Sequence, residues 1–278
     1  MPDAAATWSR APDIDRQLGG TRFRDIRWFA GIDSTNRYLL AEASGAATGP
    51  EAPAGGAPDE PAGGAPEGVV AVADEQTAGR GRHGRTWTTA PGAALLVSVL
   101  LRPQLPPERL HLVTLAAAVA ATDAVRGVGG FDAHVKWPND LVVDDRKLAG
   151  ILAEADGAGA VVVGMGLNLR PDAFPAELSD TATACDLHAS SPVDRGALLV
   201  AWLAAFDREL DSLDTVVAAA TRRSATIGRE VRVQLARSEF VGTAESLTPE
   251  GYLVVRTADG EARTVTAGDV IHLRPTQD

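Results

Sequence analysis

Apolar residues follow two spacings along the chain, and the changes of spacing mark its elements. Val69–Ala73 and 93–101 are apolar runs of strand length, and in the second Leu95, Val97, Val99 and Leu101 share one face. Pro106 and Pro107 introduce an Ala-rich stretch, 108–126, of helical length. Residues 133–137, 141–143, 149–155 and 160–168 then predict four strands in succession. Over 194–213, Leu199, Trp202, Phe206, Leu210 and Leu213 recur at helical spacing and predict one core-facing stripe. Nearer the start, Asp33 or Ser34 can cap a helix that runs through Tyr38, Leu39 and Leu40 to about Ser44.

After Arg223 the texture changes. Val231, Val233 and Leu235 alternate with Arg232 and Gln234, and strands are predicted at 242–247, 252–256, 262–265 and 270–273. Turns at Pro249-Glu250-Gly251 and Asp259-Gly260 separate them, so this end reads as a small barrel-like β module. Two segments lack periodicity. Residues 1–20 are polar and Ala-rich and predict a mobile tail. Residues 44–68 hold no Val, Ile, Leu or aromatic residue, repeat PAGGAP at 53–58 and 61–66, and predict a disordered insertion. The expected organisation is a tail (1–20), a larger domain (21–223) carrying the insertion, and a C-terminal module (224–278).

Composition narrows the function classes. A net charge of −11 argues against a general nucleic-acid binder. The single cysteine, Cys185, excludes an internal disulfide and a Cys-based zinc site, and the histidines show no metal-ligand spacing. Charge, Gly or Pro breaks every candidate membrane-spanning run, and residues 1–10 lack the order of a signal peptide, so a cytoplasmic protein with no membrane partner is expected.

Three segments carry chemistry. Gly79-Arg80-Gly81-Arg82-His83-Gly84-Arg85-Thr86-Trp87 interleaves glycines with arginines. Glycine lets the backbone approach a ligand, and arginine offers a fixed fork of donors for carboxylate or phosphate. In a chain this acidic, such a cluster suits an anion, although a flexible basic turn accounts for it equally; it lacks the Lys-Ser/Thr ending of a Walker loop. In Lys136-Trp137-Pro138-Asn139-Asp140, Pro138 ends the strand in a turn, where Asn139 and Asp140 either serve a ligand or brace the turn. In Lys147-Leu148-Ala149-Gly150-Ile151-Leu152, Lys147 opens an apolar strand, where it either snorkels to water or points into a cleft.

With D-S-T-N at 33–36, Q-T-A-G-R-G-R-H-G-R-T-W at 76–87, K-W-P-N-D-L at 136–141, K-L-A-G-I-L at 147–152 and G-M-G-L-N at 164–168, the chain resembles the biotin protein ligases over roughly 24–275. The resemblance implies an α+β fold, a mixed sheet packed against helices of the class II synthetase-like biotin/lipoate ligase type, followed by a small SH3-like barrel. It implies biotin and ATP as substrates, Mg2+ on the phosphates, a biotin carboxyl carrier domain of acyl-CoA carboxylases as acceptor, and a monomer or weak homodimer. Biotin binding falls on Ser34, Thr35, Asn36, Gln76, Gly79, Arg80, Gly81, Arg82, Lys147, Gly150 and Gly164. ATP binding falls on Arg82, Arg85, Trp87, Lys136, Trp137, Asn139, Lys147 and Asn168. The chemistry falls on Arg82 and Lys147, with Asp140 as candidate for orienting or deprotonating the acceptor amine, and no protein metal site is assigned. Some family members carry an N-terminal DNA-binding domain; too little chain precedes Asp33 for one, so a ligase without nucleic-acid partners is expected. A lipoate or octanoyl ligase of the same fold is the alternative.

Overall fold

The computed structural model describes residues 8–45, 64–235, 237–266 and 268–273. Eight strands form one mixed sheet: β1 (Trp8–Arg10), β2 (Asp25–Phe29), β3 (Val69–Ala73), β4 (Ala94–Leu101), β5 (His134–Lys136), β6 (Asp140–Val143), β7 (Arg146–Ala155) and β8 (Val161–Asn168). Their order is β1-β2-β3-β4-β8-β7-β6-β5, and only β2 and β3 run parallel. That parallel pair needs a crossover, supplied by α2 (Thr35–Ser44). Of the two caps that the sequence allows, Asp33 and Ser34, it is Ser34 that caps α2, accepting from the Arg37 N–H.

The sheet is covered on both faces, so its strands are apolar throughout rather than alternating. Leu95, Val97, Val99 and Leu101 of β4 enter the larger core with α3 (Leu112–Ala124) and α4 (Arg195–Asp211), while Leu96 and Leu100 face the smaller core with α2. The stretch 107–129 is, contrary to expectation, long and apolar enough to cross a bilayer, but most of its apolar part is buried here as core. Its apolarity is that of a helix wedged between sheet and helix.

Three sequence expectations need correction. Residues 8–20 are not a tail: β1 pairs with β2, α1 (Pro12–Gln17) follows, and Leu18 is fully buried. Proline in the first turn with Asp13 and Asp15 favours a helix start there. The predicted helix 194–213 is α4, which ends at Asp211, but the chain continues past Ser212 into a second helix, α5 (Leu213–Arg222), which the sequence reading lacked; α5 buries Val216, Ala219 and Ala220. Of the expected insertion, 46–63 lie outside the described residues, but its end is packed. The Ala65 N–H donates to Glu42 O at 2.8 Å, and Arg102 Nη2 donates to Ala43 O at 3.2 Å and Ala65 O at 3.0 Å.

The C-terminal module is a five-stranded antiparallel sheet of β9 (Glu230–Gln234), β10 (Glu239–Leu247), β11 (Leu253–Arg256), β12 (Ala262–Val265) and β13 (Asp269–His272). It is joined to the larger sheet through Trp137. The Trp137 backbone N–H donates to Thr226 Oγ1 and its indole Nε1–H to Gly251 O, each at 3.1 Å. His272 meets Thr226 Oγ1 at 3.1 Å on the same seam. Burial, reinforced by the Lys136 charge and opposed by Asp145, pushes the His272 imidazole down to about 4.

Leu18→Ala is expected to lower stability by about 2–5 kcal/mol. Urea unfolding checks this, and a loss near zero would mean that residues 8–20 do not dock. Because the unfolded His272 takes up its proton near its ordinary pKa and the folded one only near 4, stability should decline as pH falls from about 6.5 to 4, by up to about 3 kcal/mol. Thermal unfolding across that range should show a flatter acid limb for His272→Gln than for the natural chain.

Candidate active site

The site begins with what β7 and β8 lack. Gly150 pairs with Gly166, and Leu152 with Gly164, so three glycines leave a trench on the α2 face of an otherwise filled sheet. A Cβ on Gly164 would stand 2.1 Å from Asn36 Oδ1, and one on Gly166 2.5 Å from the Trp87 ring. Trp87 lies on this platform with its Nε1–H buried and without a hydrogen-bond partner. Lys147 Nζ stands 5.4 Å from the centre of the same ring, in cation–π range. The trench opens into a cavity of about 420 Å³, ample for a cofactor-sized ligand.

One wall of the cavity is a hydrogen-bonded chain. Gln76 Oε1 accepts from the Thr35 backbone N–H at 2.8 Å; Thr35 Oγ1 meets Ser98 Oγ at 2.7 Å; Ser98 donates to Asn36 Oδ1 at 2.6 Å; and Asn36 Nδ2 donates to Glu154 Oε2 at 2.8 Å. Glu154 in turn pairs with Arg80 at 3.0 Å. The helix-start residues 34–36 are thus set against a polar floor, with Ser34, Thr35, Asn36 and Gln76 all on the cavity.

The other side is cationic. The basic loop folds back on itself: the Gly81 N–H donates to Arg85 O at 2.7 Å and the Trp87 N–H to Gly79 O at 2.9 Å. His83 takes a left-handed φ of 56° at the tip. Arg82 donates to Asn139 Oδ1 at 2.9 Å and to Gly268 O at 3.1 Å, and Arg82 and Arg85 both pair with Asp269 of the C-terminal module. Lys147 pairs with Asp140 at 2.8 Å. Burial lowers the pKa of both Arg82 and Lys136; Asp140 opposes this in each, and the neighbouring Arg85 and Lys147, respectively, add to it. An anionic ligand would stabilise the charge of these half-buried cations.

Most of the residues singled out in the sequence come together here. Arg80, Gly81, Arg82, Arg85, Trp87, Lys136, Trp137, Asn139, Asp140, Lys147, Gly150 and Gly164 all line the cavity. Two do not. Gly79 sits behind the loop, where a Cβ would meet Trp87 O at 2.3 Å, so its requirement is close packing within the loop. Asn168 is buried at the end of β8, and its amide donates to Thr183 O at 2.9 Å, which turns it away from the cavity. Sequence reasoning missed Ser98, Glu154 and Asp269. Ser98 left one signal, a lone hydroxyl in the apolar run ALLVSVLL; Asp269 left none, because its role depends on contacts between distant segments. Among the described residues, no three His, Cys, Asp or Glu side chains cluster as a metal site.

Comparison with known proteins agrees with this architecture. Residues 60–169 match the biotin/lipoate A/B protein ligase family, and 226–273 match the biotin protein ligase C-terminal domain. The biotin–[acetyl-CoA-carboxylase] ligase of Mycobacterium tuberculosis is 34% identical over 271 residues, covering 94% of each chain. A bifunctional ligase/repressor of Bacillus subtilis is 33% identical over 211 residues, 72% of this chain but 65% of that protein. The biotin protein ligase of Aquifex aeolicus, solved with biotin and ATP, superposes with a TM-score of 0.75 at 24% identity over 91% of this chain and all of that one, a likeness of fold. On its motifs, its fold and a relative matched along nearly its whole length, this chain belongs to the biotin protein ligase family.

Proposed function

We propose that the chain activates biotin with ATP to biotinyl-5′-AMP and transfers the biotinyl group to a lysine of a biotin carboxyl carrier domain. The observation that carries this reading is a single cavity with two chemistries. Its Thr35–Ser98–Asn36 wall is neutral and hydrogen-bonding, and its opposite side holds Arg82, Lys136 and Lys147. Such a cavity fits a ligand with a polar neutral head and a carboxylate tail next to a nucleotide phosphate. The relatives' names support the acceptor, since the Mycobacterium and Paracoccus proteins are biotin–[acetyl-CoA-carboxylase] ligases. In this reading the ligand-binding chemistry belongs to residues 21–223, with Asp269 of the module 224–278 bracing the basic loop.

No protein side chain need become covalent. The biotin carboxylate oxygen attacks the α-phosphorus and pyrophosphate leaves; the acceptor amine then attacks the acyl carbon and AMP leaves. Arg82 and Lys147 face the phosphate and the developing charge, and the pocket holds the reacting atoms in line. Trp87, with an unpartnered Nε1–H, offers a further donor beside Lys147. As Lys147 turns from Asp140 to the phosphate, the Asp140 carboxylate is released to orient or deprotonate the acceptor amine. Magnesium would supply charge neutralisation on the phosphates. The residues fit only an ion held chiefly by the nucleotide, with Asp140 as the carboxylate available beside it.

Biotin-dependent ATP–pyrophosphate exchange tests the reading, with lipoate as the competing substrate; exchange with lipoate and none with biotin would replace it. Lys147→Ala should cut that exchange by roughly 10- to 100-fold, the worth of one charge-assisted hydrogen bond. Arg82→Ala should release preformed adenylate about tenfold faster or more, for the same reason. Rapid filtration of labelled adenylate reads this, and release at the natural rate would remove Arg82 from the phosphate.

A further inference from the structure

Glu154 stands where the two halves of the cavity meet, yet it is not among the residues that line it. On β7 it follows Gly150 and Leu152 at alternate positions, so all three point to the same face. Its side chain is 19% exposed, and its two carboxylate oxygens serve different partners. Oε2 accepts from Asn36 Nδ2 at 2.8 Å, and Oε1 pairs with Arg80 Nη2 at 3.0 Å.

The first contact, with a longer one from Asn36 Nδ2 to Leu152 O at 3.3 Å, fixes which way the Asn36 amide faces. The terminal torsion of an asparagine is broad and roughly two-fold, so its O and N exchange places at little intrinsic cost. With Glu154 accepting from Nδ2, Oδ1 must face Ser98, whose hydroxyl donates to it at 2.6 Å. Ser98 has only one proton, so at the 2.7 Å contact with Thr35 it can only accept; Thr35, with one proton of its own, has Ser98 Oγ at 2.7 Å and Gln76 Oε1 at 3.1 Å as acceptors. The Ser98 hydroxyl therefore takes its direction from the Asn36 amide that Glu154 helps to orient. Asn36 cannot retreat to the far side, because its Oδ1 already stands where a Cβ on Gly164 would be. The second contact anchors the base of the basic loop, where Arg80 also bridges to Thr86.

We infer that Glu154 is a positioning residue that couples the two halves of the site: one oxygen, together with Leu152 O, orients the Asn36 amide on the floor and the other holds the basic loop over it through Arg80. The inference rests on the reading of the cavity as a biotin and adenylate site. It assigns Glu154 no contact with substrate. A ligand that meets the ordered floor therefore also meets a loop already tied to it, and loss of the carboxylate separates the two.

The isosteric Glu154→Gln separates the arms. Its Oε1 can still accept from Asn36, while its amide N–H groups meet Arg80 without charge pairing. Glu154→Ala removes both arms. Biotin affinity by calorimetry reads the floor, and the rate of adenylate release reads the loop. Glu154→Gln should bind biotin within about threefold of the natural chain while releasing adenylate about tenfold faster, and Glu154→Ala should weaken both by about tenfold or more. A purely structural role would move both readouts together with thermal stability in either variant. The inference is overturned if the two variants match each other on both readouts, or, should Glu154→Ala not fold, if Glu154→Gln releases adenylate at the natural rate. Failure of the natural chain to bind biotin would instead overturn the functional reading on which the inference stands.

Discussion

A sheet buried on both faces has no room for a ligand unless side chains are left out of it. Here they are left out at Gly150, Gly164 and Gly166, on one face of two paired strands, while Ile151, Val163 and Met165 fill the other face. Everything in the site depends on that omission. Trp87 can lie on the sheet only because Gly166 has no Cβ, and Asn36 can reach Ser98 only because Gly164 has none. Helix α2, the basic loop and the C-terminal module surround this trench. The rigidity of the close-packed sheet below it fixes the polar atoms at its edges.

The cations of the site are not bare. Arg82 and Arg85 face Asp269, Lys147 faces Asp140, and Arg80 faces Glu154. In a chain of net charge −11, these carboxylates keep a concentrated positive patch from being left uncompensated. Binding an anionic ligand is therefore an exchange of partners rather than the filling of an empty charge. The net gain depends on burial, which holds Arg82 and Lys136 below their ordinary pKa and makes them sensitive to added negative charge.

Much of this was legible in the sequence. The β3 strand, the Ser34 cap and the strands of the C-terminal module follow directly from periodicity and turn residues. The glycines of G-M-G and A-G-I were visible as motifs. What escaped was what tertiary contacts decide. Strand β2 hides because Arg27 sits inward, paired with Asp25 and Glu42, where alternation calls for an apolar residue. Helix α5 hides because it buries only Val216, Ala219 and Ala220, a stripe too short to stand out as an element of its own. Ser98, Glu154 and Asp269 are ordinary polar residues until folding brings them to Asn36, Arg80 and Arg82. Asn168 went the other way: its motif pointed to a ligand, and the chain crossing at Thr183 takes its amide instead.

The last strand of the chain bears on how the protein comes to be made. Asp269, Val270 and Ile271 of β13 form part of the cavity wall, and Asp269 holds the basic loop. The large sheet is complete at β8, far earlier in the order of translation. A nascent chain can therefore fold its ligand trench while the wall that closes it is still being synthesised, because domains emerge and fold from the N-terminal end onward. The wall and the Asp269 brace on the basic loop arrive last, so a chain cut short upstream of β13 lacks both even where its large sheet has formed.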